Sequence, residues 1–316
     1  MSKLQSPLLP SLKALSDELR LTLLRLMAQH SFAVLELCEL LQVRQSSMSF
    51  HLKVLAQAGL VCRQREGNSV FYRRATAPMG SFLASLWLQL DAEPLPEALA
   101  QALAKLDQER LQQAQAFFNK YSHELSQQQA MIAEYSQYGE AALELLLQHR
   151  SNWQSLLEIG PGHGEFLQQV APYCQQLSAL DIASDMLSAC EQRLAKQGIS
   201  AELIEADLSL LPARGVQYQA LVANMVLHHL PEPALFMQQA AQLLTADGVL
   251  LITELCRHDQ HWVQQIQGDR WLGFAPEQLA QWADQAMLGL KQTSFIALRN
   301  GFQIQQLLFV KNGSSS

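Results

Sequence analysis

The stretch Leu156-Leu157-Glu158-Ile159-Gly160-Pro161-Gly162-His163-Gly164-Glu165-Phe166 constrains the fold more than any other part of the chain. An apolar run ends in an acid, and glycines then occupy alternate positions. This pattern predicts a buried strand, a tight turn and the start of a helix. Glycines let the backbone take positive φ and come close to a ligand. The helix that follows presents unpaired N–H groups and the positive end of its dipole. A dinucleotide-binding fingerprint would need its third glycine at 165, and that position holds Glu165.

Downstream, predicted strands alternate with helices. Strands are expected at 155–159, 176–181, 201–205, 218–224 and 247–254, followed by an antiparallel pair at 291–298 and 302–310. Such alternation predicts a parallel sheet with helices on both faces. The Glu-x-Gly-x-Gly-x-Gly spacing, together with acids after the second and third strands, resembles class I S-adenosylmethionine (SAM)-dependent methyltransferases over roughly residues 140–311. The resemblance implies an α/β Rossmann-like fold, a seven-stranded sheet with an antiparallel end hairpin. It implies that Gly160, Gly162 and Gly164 form the SAM turn and that Glu158 orders the amino-acid part. Asp181 would take the ribose diol, lying about twenty residues after the glycine turn. Ile182 and Met186 would flank the adenine, Asp207 would meet its amino group, and Asn224 would sit beneath the methionyl group. Taken singly, Asp181 or Asp207 also reads as a helix N-cap.

Methyl transfer is an in-line displacement on an already activated sulfonium, so the protein mainly aligns a nucleophile and excludes water. A base is needed only for a nucleophile with a proton of high pKa. Candidate bases are His228 and His229, in Val226-Leu227-His228-His229-Leu230-Pro231, and His258. In the resembled superfamily such a histidine pair is mostly structural. A second cluster comprises Glu254, Cys256, His258, Asp259, His261 and Trp262, followed by Gly268-Asp269-Arg270-Trp271-Leu272-Gly273-Phe274. Its spacing is not that of a standard zinc site, so a substrate or effector pocket is expected there and no metal. A polar loop packed by its two tryptophans is the plainer alternative. No cysteine triad like that of arsenite methyltransferases is present, and Asn224-Met225-Val226-Leu227 does not match the motif of DNA amino-methylases.

The N-terminal part has a different pattern. At 316 residues the chain is long enough for two domains. Residues 1–95 carry a net charge of +3 and residues 96–316 a net charge of −10. A basic front and an acidic back suggest that only the front meets a polyanion. Residues 12–29 predict one amphipathic helix, with Leu12, Leu15, Leu19, Leu23 and Leu26 on one face. A shorter helix is expected at 33–41. Val43-Arg44-Gln45-Ser46-Ser47 breaks the pattern and supplies capping hydroxyls. A third helix runs from about Ser46 to Ala58, with Met48, Leu52 and Leu55 inward and Ser46, Ser49, Phe50 and Lys53 on the opposite stripe. Two strands then flank a turn at Glu66-Gly67-Asn68.

Helix, turn, helix and basic hairpin make an all-α-rich winged helix-turn-helix. The segment from Leu15 to Arg74 resembles the ArsR/SmtB regulator family, through Leu15-Ser16-Asp17-Glu18-Leu19-Arg20, Ser49-Phe50-His51-Leu52-Lys53-Val54-Leu55-Ala56-Gln57-Ala58-Gly59-Leu60-Val61, Arg65-Glu66-Gly67-Asn68 and Tyr72. The resemblance implies DNA binding through Gln45, Ser46, Ser47, Ser49, Phe50, Lys53, Arg63, Arg65 and Asn68. It also implies a dimer interface on the apolar helix at 80–92. Short polar side chains let a recognition helix approach base edges. Lys53, Arg63, Arg65, Arg73 and Arg74 are candidate phosphate contacts. Phe50 has two readings, contact with a thymine methyl or packing against the wing. His51 reads as a hydrogen-bonded structural residue. Cys38 lies where relatives place paired cysteines, but Leu40 replaces the second, so Cys38 reads as a small core residue.

The expected organisation is therefore multidomain: residues 1–95 as DNA-binding and dimerisation domain, 96–139 as helical connector or cap, and 140–312 as methyltransferase domain. Phe117, Phe118, Tyr121, Tyr135 and Tyr138 either line a pocket or serve a core. Five scattered cysteines without a CxxC pair suggest reduced thiols and a cytoplasmic setting. No apolar run reaches membrane-spanning length. Expected partners are a double-stranded DNA operator and a small-molecule methyl acceptor or effector. Three functions fit: a regulator with an active small-molecule methyltransferase domain, a regulator whose second domain only senses SAM or its demethylated product, and an enzyme whose winged helix mainly dimerises.

Overall fold

The computed structural model describes residue 6 and residues 8–66, 69–77, 80–263 and 269–312, with the backbone alone described at 122–130. Gly67, Asn68 and Gly268 lie outside the described residues. The chain divides into two compact units, residues 1–111 and 112–316.

The first unit opens with α1 (Leu9–Leu15) and α2 (Glu18–Leu26) in place of the one continuous helix expected. Asp17 causes the break. Its backbone is extended (φ −151°, ψ 129°) and its carboxylate accepts the Arg20 N–H, so a new helix starts there. Leu12 consequently lies half exposed, while Leu23, Leu24 and Leu26 are fully buried. A short strand β1 (Phe32–Ala33) leads into α3 (Val34–Leu41), which ends at Gln42 in the left-handed region (φ 53°). That reversal lets α4 (Gln45–Gln57) begin one residue earlier than expected. Its N-cap is Arg44, and no side chain caps it. Ser46 and Ser47 are thus first-turn residues and not caps. Strands β2 (Val61–Glu66) and β3 (Ser69–Arg74) pair antiparallel, Val61 opposite Arg74 and Glu66 opposite Ser69, and β1 adds to β3. The helix α5 (Phe82–Ala92) buries Trp87 and Leu90 on the same core as Leu23, Met48, Leu52 and Leu55. Cys38 packs against that core, as a small apolar residue does.

Long helices follow, α6 (Glu97–Ile132) and α7 (Tyr135–His149). The division between the units falls inside α6. Leu99, Leu103 and Leu106 join the first core, and Arg110 pairs with Glu36 at 2.8 Å. Ile132, Ala133 and Tyr138 belong to a core of the second unit. The stretch expected as a connector is thus shared between two hydrophobic cores.

The second unit is built on β4 (Trp153–Ile159), β5 (Cys174–Asp181), β6 (Glu202–Glu205), β7 (Tyr218–Asn224), β8 (Leu244–Leu255), β9 (Leu288–Ala297) and β10 (Gln303–Lys311). The sheet order is β6-β5-β4-β7-β8-β10-β9. The first five strands run parallel, and β10 lies antiparallel between β8 and β9. This is the Rossmann-like, seven-stranded sheet with an antiparallel end hairpin that the resemblance implies. β4 and β7 stand at its centre and are buried almost throughout, which is why they read as continuous apolar runs. Strand order reverses at β4, from which the chain winds first to β5 and β6 and then back to β7. Crevices at the carboxyl ends of strands beside such a reversal are where ligands bind in open α/β sheets. Among the described residues no helix is long and apolar enough to cross a membrane.

The two faces of α4 carry opposite energetic weight. Leu52→Ala empties a fully buried position and should cost about 2–5 kcal/mol. Phe50→Ala, on an exposed position, should stay within about 0.5 kcal/mol. Native-state hydrogen exchange of the α4 amides reads both, and equal loss of protection in the two variants would contradict this assignment of faces.

Candidate functional site

On the first unit, Gln45, Ser46, Ser47, Ser49, Phe50 and Lys53 are all exposed on α4, and Arg63 and Arg65 are exposed on β2. Phe50 is 60% exposed, and among the described residues its ring meets the edge of His51. His51 Nδ1 lies 3.4 Å from Asp17 Oδ1, a tie between α4 and the start of α2 that fits a structural role. Arg74, a candidate phosphate contact from sequence, is engaged elsewhere. Its guanidinium makes a two-pronged pair with Asp91 at 2.6 and 2.7 Å and lies over the Trp87 ring. Arg73 is half-buried on the same strand. The exposed face therefore narrows to the outer stripe of α4 and the outer residues of β2.

On the second unit, the loops that leave β4, β5, β6 and β7 are stitched together at one edge of the sheet. The Gly160 N–H donates to Leu180 O (2.8 Å), Ala206 N–H to Asp181 O (3.1 Å), and Met225 N–H to Thr253 O (2.8 Å). Gly160, Gly162 and Gly164 all have positive φ (62°, 54° and 80°). A Cβ at Gly160 would strike Val226 at 2.7 Å, and one at Gly164 would strike Cys190 Sγ at 2.8 Å. At Gly162 a Cβ would meet nothing within 4 Å. Two of the glycines thus serve packing, and the middle one borders open space.

Beneath this turn lies an acid. Glu158, one residue before the end of β4, is buried and accepts a hydrogen bond from Asn224 Nδ2 at 3.1 Å. Burial pushes its carboxyl up to about 8, with the Asn224 hydrogen bond acting the other way. Glu158 Oε2 and Asn224 Oδ1 are buried with no hydrogen-bond partner among the described residues. With Glu158 ionised both atoms need a donor, which is costly in a folded interior, whereas in the protonated acid its own O–H supplies one. The two atoms fit a bound cationic donor such as an ammonium.

Asp181 ends β5. Its Oδ1 accepts the Ala183 N–H at 2.9 Å, and burial pushes its carboxyl up to about 6. Ile182 and Met186, half-buried, follow it into the helix α8 (Ser184–Lys196). Asp207 caps the short turn Leu208–Leu210 through the Ser209 N–H at 2.9 Å. The N-cap reading of Asp207 is therefore realised by one of its two carboxylate oxygens.

The histidines lie in the turn after β7. His228 Nδ1 sits 2.7 Å from Glu254 Oε1, and the His228 backbone N–H donates to Glu254 Oε2 at 3.1 Å. Burial alone would lower the His228 pKa, but the Glu254 and Asp269 carboxylates outweigh it and hold it up to about 9. Such a histidine carries its proton at neutral pH and is no ready base. His258 behaves in the opposite way. Its Nδ1 accepts the Gln260 N–H at 3.2 Å, and burial lowers its pKa to about 4. It is held as the Nε2–H tautomer, a donor. The Glu254–His228 pairing joins residues 26 apart, and no local motif marks it. Asp269, buried beside both His228 and His229, carries no spacing signal either.

Two family models match the chain. Residues 17–62 match the bacterial regulatory protein, arsR family, and residues 157–252 match a methyltransferase domain. Over 149 residues the chain is 22% identical to the ubiquinone biosynthesis O-methyltransferase of Salmonella paratyphi A, covering 43% of this chain and 62% of that protein. Over 116 residues it is 25% identical to an uncharacterized methyltransferase of Schizosaccharomyces pombe, covering 34% of this chain and 41% of that one. The chain thus spans less than two thirds of these relatives. Among solved structures, magnesium protoporphyrin IX methyltransferase from Synechocystis, with bound S-adenosylhomocysteine, shares the fold. Its TM-score is 0.54 at 14% identity, over 64% of this chain and all of that one. The chain joins an ArsR-family regulatory helix-turn-helix to a methyltransferase domain on a Rossmann-like sheet.

Proposed function

We propose that the protein is a DNA-binding transcriptional regulator whose second unit binds SAM and methylates a small molecule. The observation that carries the reading is the buried Glu158 carboxyl hydrogen-bonded to Asn224, with Oε2 and Oδ1 lacking hydrogen-bond partners among the described residues, on the strand that leads into the positive-φ turn at Gly160, Gly162 and Gly164. When bound, SAM would supply an activated methyl group on a sulfonium. Glu158 and Asn224 would accept from its ammonium, and Asp181 from its ribose diol. Ile182 and Met186 would cover the adenine, and Asp207 would accept from the adenine amino group with the carboxylate oxygen not used in capping. The likeness to O-methyltransferases supports a small-molecule acceptor with a hydroxyl group. We place the winged helix on an operator as a dimer in a cytoplasmic setting. The exposed stripe of α4 would enter the major groove and the arginines of β2 would meet phosphate. A domain that only senses SAM or its demethylated product would share the binding residues. Release of demethylated product from SAM and a panel of phenolic and carboxylic acceptors separates turnover from sensing.

Asp181→Ala removes charge-assisted hydrogen bonds worth about 1.5–3 kcal/mol. SAM affinity should fall roughly tenfold to hundredfold. Gly162→Val fills the open space and should abolish binding. Calorimetry that finds wild-type affinity in both variants would refute the assignment.

Proton linkage gives an independent check. The Glu158 carboxyl, held up to about 8, is protonated in the free protein at pH 7. A ligand ammonium beside it stabilises the carboxylate and lowers that value. SAM binding should therefore release a proton at pH 7, and affinity should rise between pH 6 and pH 7.5, by at most about tenfold per pH unit. Calorimetry in buffers of different ionisation enthalpy measures the release. Glu158→Gln should abolish it, and an unchanged release in that variant would remove Glu158 from the site.

DNA binding by the full chain should weaken steeply with salt, as phosphate contacts release counterions. Lys53→Ala should weaken all sequences alike and reduce the salt slope by about one, whereas Ser46→Ala should alter base preference. Mobility shifts on a selected operator and a scrambled duplex test both. A Lys53→Ala slope equal to that of wild type would place that lysine off the DNA.

A further inference from the structure

The cluster after β7 has a feature that methyl transfer does not use. Asp269 is buried, its side chain fully so, and neither carboxylate oxygen has a hydrogen-bond partner among the described residues. Two imidazole nitrogens converge on it. His228 Nε2 lies 3.8 Å and His229 Nδ1 3.7 Å from the same oxygen, Oδ1. Both distances exceed hydrogen-bond length. One ligand atom from each of the three residues fits within a 4.8 Å span.

We propose that His228, His229 and Asp269 form a binding site for a divalent first-row transition-metal ion. Bonds of about 2.0–2.2 Å from one ion to two nitrogens and an oxygen would hold tetrahedral ligands roughly 3.3 Å apart. The observed separations from Asp269 need to close by only a few tenths of an ångström. The orientation of His228 points the same way. Glu254 Oε1 engages its Nδ1 at 2.7 Å, which leaves Nε2 facing Asp269. A carboxylate on the far nitrogen of a histidine is the outer support that metal-bound histidines use. Glu254 is itself fixed, because the backbone N–H groups of His228 and Leu255 donate to it at 3.1 and 2.6 Å. The turn that carries both histidines is pinned too. The backbone N–H groups of Arg270 and Trp271 donate to His228 O at 2.8 and 3.1 Å, so Asp269 is held next to the ring it faces.

In the metal-free protein a proton on His228 Nε2 faces the Asp269 carboxylate, and the ion takes its place with release of that proton. That proton leaves His229 Nδ1 3.7 Å from the same oxygen, beyond hydrogen-bond length, whereas one ion can bind all three atoms. Two imidazoles and one carboxylate suit zinc, cobalt, nickel or iron better than magnesium or calcium. Three protein ligands leave at least one position open for water or for an oxygen or nitrogen of a small molecule. From sequence, no metal is expected in the cluster from Glu254 to Phe274, and His228 and His229 stand apart from it as candidate bases; the fold joins Asp269 of the one to the histidines of the other.

The test uses the full chain, stripped with a chelator and titrated with Zn²⁺ against a chromophoric competitor, and with Co²⁺ followed by visible absorption. The site predicts one equivalent of tightly held metal and a Co²⁺ ligand-field spectrum that Zn²⁺ abolishes. Asp269→Asn and His229→Gln should each weaken binding at least tenfold. Glu254→Gln should weaken it by about 10–100-fold through its support of His228. Cys256→Ser should change nothing. Zinc X-ray absorption of the wild-type protein should show nitrogen and oxygen neighbours without sulfur, a readout independent of whether any variant folds. Absence of a stoichiometric site, unchanged affinity in Asp269→Asn and His229→Gln, or a sulfur shell would each overturn the proposal. Because metal uptake is read without SAM, failure here leaves the methyl-transfer reading intact, and failure of that reading leaves this one intact.

Discussion

The hydrogen bond from Gly160 N–H to Leu180 O holds the second unit's functional edge in place. It ties the turn after β4 to the end of β5, at the point where the sheet reverses its direction of winding. The bond requires the chain to leave β4 at positive φ, and a side chain at 160 would strike Val226 in the next loop. Glycine is the residue that meets both conditions without strain. From that turn the neighbouring loops are fixed in sequence, Ala206 against Asp181 and Met225 against Thr253. The glycines at 160 and 164 are thus structural, and they free the backbone at 162 to border open space.

The same edge concentrates buried charge. Glu158, Asp181, His228, Glu254 and Asp269 all lie within a few residues of strand ends or in loops packed on them, and most have shifted protonation. Burying ionisable groups opposes stability unless each finds a partner. Here the partnering is incomplete in two separate places. Glu158 and Asn224 leave acceptors for a ligand's donor, whereas Asp269 faces two imidazole nitrogens with space for a cation. The first arrangement underlies the SAM proposal and the second the metal proposal. They share β7, which ends in Asn224 and turns directly into His228 and His229.

The first unit solves a different problem. A small helical domain presents a helix outward while still anchoring it. α4 does so by burying Met48, Leu52 and Leu55 and exposing Ser46, Ser49, Phe50 and Lys53. Its entry is set by Gln42 in the left-handed region and its inner contact by His51 against Asp17. Asp17 acts twice, capping α2 and facing α4, which explains why the N-terminal apolar stretch breaks where it does.

Periodicity and glycine spacing alone determined the strand at 155–159 with its glycine turn and following helix, the alternation of strands and helices, and the outer face of α4. These are local properties, written in side-chain period and backbone permissiveness. The placement of Asp181 at the end of its strand and of Asp207 just after its own was legible as well, because each lies within two residues of an apolar run. Tertiary structure alone decided which groups share a charge. It engaged Arg74 with Asp91, away from the exposed stripe of α4, split the predicted N-terminal helix at Asp17, and divided α6 between two cores. It also brought Glu254 and Asp269 to His228, because contacts across a sheet edge and a distant loop leave no periodic trace in the chain that makes them.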